Sequence, residues 1–206
     1  MSRLHPVSVL LAIIVPFSIP ENAFGDGVKD NVPDQVRQIP PAGIEIPPEA
    51  RQELTAGAAE LGKQIESLRR SRGKQPHLRE LLPDVEIYAK AVDWAVRYGQ
   101  IYHKNDLTVA RNLLQQGRKR AAELAAGQAP WLSATGLVVR GYRSKIDGSV
   151  QPYGLVVPAG FVPGGAPHRL DFWFHGRGEK LSELSFINGR QNTPGQFTPP
   201  NTFVLH

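Results

Sequence analysis

Cysteine is absent from all 206 residues. No disulfide framework and no lipid-attachment site can form, so the core must hold the fold unaided. Long apolar runs are scarce too. The run from Val7 to Ile19 is interrupted by Pro16 and is too short to span a bilayer comfortably, so no stable membrane span is expected. There is no internal repeat and no metal-ligand spacing, and neither a metal nor a cofactor is expected.

The N-terminus reads as an address. Arg3 and His5 form a short polar start, Val7 to Ile19 an apolar centre, and Ala23-Phe24-Gly25 a small-residue stretch suited to cleavage. Residues 1–25 are therefore expected to be a signal peptide, which makes the mature chain secreted or periplasmic; a buried first helix is the alternative. Charge leans to one sign, with 24 Lys and Arg against 19 Asp and Glu, and losing Arg3 and Glu21 with the signal leaves the formal net charge at +5. The basic clusters, Arg69, Arg70, Arg72 and Lys74, then Arg118, Lys119 and Arg120, lack interleaved aromatics and fall on polar helix faces. They read as solvated surface, and no nucleic-acid partner is expected. A basic helical module for anionic polymers is a competing reading that rests on these clusters alone.

Residues 26–48 carry Pro33, Pro40, Pro41, Pro47 and Pro48 and form an extended leader, because proline sustains neither a helix interior nor a central strand. Residues 49–128 are helical. Leu54, Ala58, Leu61, Ile65 and Leu68 recur at three- and four-residue steps; Val85, Tyr88, Val92, Ala95 and Val96 make a second stripe after Pro83, with Trp94 beside it. A third helix is introduced by Asn105 as candidate N-cap, carries Leu107, Ala110, Leu114, Ala121 and Leu124, and closes at Gly127.

Residues 129–206 change to β-type patterning. Leu137 to Ile146 and Val150 to Val157 flank Asp147-Gly148, which predicts a hairpin with a type I′ turn. Pro152 places part of the second strand at an edge or a bulge. After a Pro/Gly-rich loop, Leu170-Asp171-Phe172-Trp173-Phe174 is a near-continuous apolar strand of the kind covered on both faces. A helix over 180–190 and a strand over 202–205 complete a βαβ unit, and the expected class is α/β.

Between that strand and helix stands His175-Gly176-Arg177-Gly178-Glu179. Two glycines at such a turn let another atom approach backbone N–H groups, which suits an anion. The turn, preceded by the Asp-Gly hairpin, a strand ending in Pro158 and a Pro/Gly loop, resembles the entry to the catalytic domain of the α/β-hydrolase superfamily, in its secreted prolyl oligopeptidase-like and esterase branches. The resemblance covers roughly residues 134–206. It implies that the loop is an oxyanion hole with the N–H of Arg177 or Gly178 as donor. It also implies a fourth strand between the second and third, leaving the outer edge of the third bare. His175 stands where prolyl peptidases commonly carry a tyrosine, which leaves proline specificity without support; it can equally shape the loop by hydrogen bonding. Arg177 and Glu179 are substrate contacts or, alternatively, a surface arginine and a helix-start carboxylate.

The family's serine sits on a Gly-x-Ser-x-Gly elbow, followed by an acid and then a histidine. No serine here has that setting, and by position His206 is a strand-end residue rather than the triad base. The chain thus reads as the N-terminal part of a secreted serine hydrolase, an esterase or peptidase without nucleophile, acid or base. It would meet a small ester or peptide substrate only with the remaining half supplied. A non-catalytic secreted binding protein, or a remnant, is the alternative.

Overall fold

The computed structural model describes residues 39–72, 76–176 and 178–206. The expected signal peptide, the first part of the leader, Lys74 and Arg177 lie outside the described residues.

Helix α1, Pro48–Arg72, buries the Leu54, Ala58, Leu61, Ile65, Leu68 stripe. A short helix α2, Pro76–Arg79, follows; four residues are too few to show a period. Helix α3, Pro83–Arg97, starts on a proline whose missing N–H would have had no partner there, and it buries Val85, Tyr88, Val92, Ala95 and Val96. Trp94 stays partly exposed, with the Lys90 ammonium 4.2 Å from its ring centre. Helix α4, Lys104–Ala125, begins before the expected cap. Asn105 is inside the helix, and the Asp106 carboxylate accepts from the N–H groups of Tyr102 and His103, each at 2.9 Å.

Strands β1, Gly136–Arg143, and β2, Val150–Val157, pair antiparallel as a hairpin. The type I′ turn is not formed. Ser144 to Ser149 make a wider loop in which Gly148 has φ +72° and Asp147 does not have positive φ. Asp147 instead accepts from the N–H and hydroxyl of Ser149, at 3.0 and 2.7 Å, and the short side chain bonding to its own loop replaces the tight turn. Strand β3, Arg169–Phe172, helix α5, Glu183–Asn192, and strand β4, Thr202–Leu205, follow. The mixed sheet runs β1-β2-β4-β3, with β4 antiparallel to β2 and parallel to β3. Pairing of β2 with β4 is confined to Leu155 and Val156 and the flanking Gly154, so Pro152 faces no ladder on that side.

The register places Gly141 and Gly154 on one face of the β1–β2 ribbon. A Cβ at Gly141 would lie 2.1 Å from the Pro83 carbonyl oxygen, and one at Gly154 would lie 2.7 Å from Arg190. Helices α3 and α5 therefore press on that same face, and the core runs without interruption from α1, α3 and α4 into β1, β2 and α5. Arg120, expected as solvated surface, belongs to this junction: it donates to the carbonyls of Asp84 and Val139 at 3.0 and 2.8 Å and lies over the rings of Tyr88 and Trp131. An arginine stem with apolar neighbours and carbonyls at its tip has no reason to remain in water.

β3 differs from its expectation. Its place at the sheet edge, with β4 between it and β2, is the expected one, but its faces are not both covered, and Leu170, Phe172 and Phe174 are 48%, 58% and 89% exposed. The helices pack on β1 and β2, which leaves this apolar run without a cover.

Candidate functional site

The His175-Gly176-Arg177-Gly178-Glu179 loop leaves β3 at its C-terminal tip, beside the end of the parallel strand β4. The ladder continues one step past β3, where the Trp173 N–H donates to the Leu205 carbonyl at 2.8 Å. On the far side, α5 is tied to the helical layer. Gln191 donates to the Tyr88 hydroxyl at 3.0 Å and to Gln116 at 2.5 Å, while Lys90 holds Glu183 at 2.5 Å. Burial pushes the Glu183 carboxyl up, against the opposing pull of Lys90. Both ends of the loop are thus anchored.

Gly176 does not have positive φ. A Cβ at Gly176 would meet nothing within 4 Å, and one at Gly178 would touch Leu181 at an ordinary 3.5 Å. The fold therefore does not demand glycine at position 176; what glycine provides there is open space above the backbone. Among the described residues, no backbone carbonyl accepts from the N–H of Gly176. Glu179 precedes the Ser182 cap of α5 by three residues, so Glu183, not Glu179, occupies the first helical turn.

His175 meets His206 rather than standing alone. Its Nε2 lies 2.8 Å from His206 Nδ1, and Arg190 Nη1 lies 3.2 Å from the same nitrogen. Arginine only donates, so His206 Nδ1 is the acceptor and His206 is the neutral tautomer protonated at Nε2. That Nε2 is buried without a well-formed hydrogen bond, near the Pro194 carbonyl. Burial, and then the charge of Arg190, lower the pKa of both rings, and His175 lowers that of His206 further. The folded loop thus favours neutral rings, while the unfolded chain takes up protons near the ordinary value of about 6.5. Stability of this corner is complete above that value and falls as the pH drops through it toward the depressed folded values. Amide protection factors at Trp173 and His206, measured on either side of pH 6.5, are expected to fall on the acid side; unchanged factors would refute the pairing.

Ser182 and Ser185 are spent on capping α5, bonding each other's backbone N–H at 3.2 and 3.0 Å. Ser144 and Ser149 shape the hairpin loop. Sequence reasoning missed the roles of His206 and Arg190, because a strand-end histidine and a helix arginine carry no signal until the sheet brings β3 and β4 side by side. No protein-family model matches the chain, and neither a curated protein nor a solved structure does. Among the described residues, no group of three or more His, Cys, Asp or Glu could hold a metal ion, and no helix is long and apolar enough to cross a membrane.

Proposed function

We propose that the chain is the N-terminal part of a secreted serine hydrolase of α/β-hydrolase type, an esterase or peptidase, supplying the oxyanion loop but not the nucleophile, acid or base. The observation that carries this reading is the strand order β1-β2-β4-β3 with β2 antiparallel to its neighbours and a glycine-bearing loop at the tip of β3. Acyl transfer builds negative charge on a carbonyl oxygen, and fixed N–H groups stabilise it without reorganising; one such donor is worth about 3 kcal/mol. The open space over Gly176 is where the carbonyl approaches. The bare outer edge of β3 is where a further parallel strand pairs, bringing with it the serine elbow.

Reading the natural transcript past the codon of His206 tests this. The expected frame continues into an apolar strand, a Gly-x-Ser-x-Gly elbow, an acidic residue and a histidine, in that order. A stop codon with no such elbow would end the hydrolase reading.

A further inference from the structure

A sizeable cavity lies away from the glycine loop. It is an open cleft of about 940 Å³ where the ends of α1, α2 and α3 face the β1–β2 ribbon. Its walls carry Arg69, Arg79, Arg140 and Arg143, and Tyr142 and Tyr153 stand in it edge to face with ring centres 6.0 Å apart. Four guanidinium groups and the carboxylates of Glu80 and Glu86 line it, and Glu66 and Asp84 pair Arg69 and Arg140 from outside the lining.

The ion pairs are layered by depth. Glu86, its side chain 9% exposed, holds Arg69 at 2.5 Å and Arg143 at 2.6 Å, whose side chains are 41% and 50% exposed. Asp84, at 0%, holds Arg140, at 23%. The carboxylates of Asp84 and Glu86 thus sit on the protein side of their guanidinium partners, whereas Glu66 and Glu80 are exposed beside them, so positive charge reaches the cleft mainly through Arg79, Arg140 and Arg143. Each guanidinium carries five N–H donors, so its bonds to a carboxylate do not exhaust it. Burial lowers the Arg69 pKa, but hydrogen bonds and charge from Glu86 and Glu66 more than offset this, and the group stays cationic.

We infer that this cleft binds an anionic saccharide, a short chain bearing carboxylate or sulfate groups. Arginine fixed by a buried carboxylate matches the planar, bidentate geometry of such groups. Tyr142, half exposed, offers an apolar ring face to the sugar and a hydroxyl to its oxygens. The cleft volume falls in the range of about 300–1,000 Å³ that holds small ligands. This inference does not rest on the hydrolase reading.

The test titrates the full chain, fluorescently labelled and at nanomolar concentration, with oligogalacturonate and with a heparin oligosaccharide. Tripolyphosphate and a neutral maltooligosaccharide serve as comparisons. Saturable, salt-weakened binding to an acidic oligosaccharide is expected, with no binding of the neutral one. Arg79→Glu and Tyr142→Ser, which spare the buried carboxylates, should each weaken binding about tenfold. Lys119→Glu, on an exposed helix face, should not. Thermal melts of all three variants establish that they fold. Absence of saturable binding overturns the proposal, as does equal affinity in the Arg79 and Tyr142 variants. Tripolyphosphate binding as tightly as the sugars, and indifferent to Tyr142→Ser, overturns it as well.

Discussion

Asp84→Ala is expected to destabilise the protein by about 4 kcal/mol, most of what a small domain has. Asp84 is fully buried, and its two oxygens gather the Gly141 N–H at 2.7 Å, the Trp131 indole N–H at 2.8 Å and the Arg140 guanidinium at 3.0 Å. One side chain thus joins α3, the turn at Pro130–Leu132 and β1. Alanine would leave a mostly buried cation and two buried N–H donors without an acceptor, and such losses exceed the worth of the bonds themselves. Asp84→Asn keeps an acceptor and should cost less. Urea titration followed by tryptophan fluorescence checks both; an alanine variant with an unchanged midpoint would refute the hub.

The second large effect belongs to β3. Its backbone is paired to β4 on one side only, and Phe172 stacks on Phe174 at 6.4 Å with both rings largely in water. An apolar unpaired edge recruits other chains. Without a further strand to cover it, the chain is expected to self-associate at micromolar concentration and to hydrolyse no activated ester. Burying one phenylalanine contributes about 2 kcal/mol, so Phe172→Lys with Phe174→Lys should weaken association about a thousandfold. Sedimentation velocity shows the outcome directly; a wild-type chain that remains monomeric would contradict it.

The helical layer was legible because apolar residues at three- and four-residue steps, such as Leu54 to Leu68, state both the helix and its buried face. The hairpin was legible for a similar reason, through its β-branched runs, although its turn was not. Asp147-Gly148 signals a tight turn, yet side-chain bonds from Ser149 favoured a wider loop. An apolar run such as Leu170 to Phe174 states that burial is needed without stating whether it is met, and that is why exposed strand faces read as covered ones. Asp84 carried no signal in the sequence, and Arg69 and Arg120 read as surface charge. Their roles depend on partners 17 to 57 residues away. The glycine loop was visible as a motif, whereas its contact with His206 exists only through the β3–β4 pairing.

The most direct test of the proposed hydrolase is the effect of Gly176→Val on ester hydrolysis by the longer chain that the proposal expects, with a Gly-x-Ser-x-Gly elbow. A Cβ at this position has nothing within 4 Å beyond its chain neighbours, so a small side chain here leaves the fold alone and obstructs an approaching carbonyl. A fall in kcat of about a hundredfold or more, with an unchanged melting temperature, is the expected result. Undiminished kcat in a folded Gly176→Val enzyme would show that no oxyanion forms over this loop.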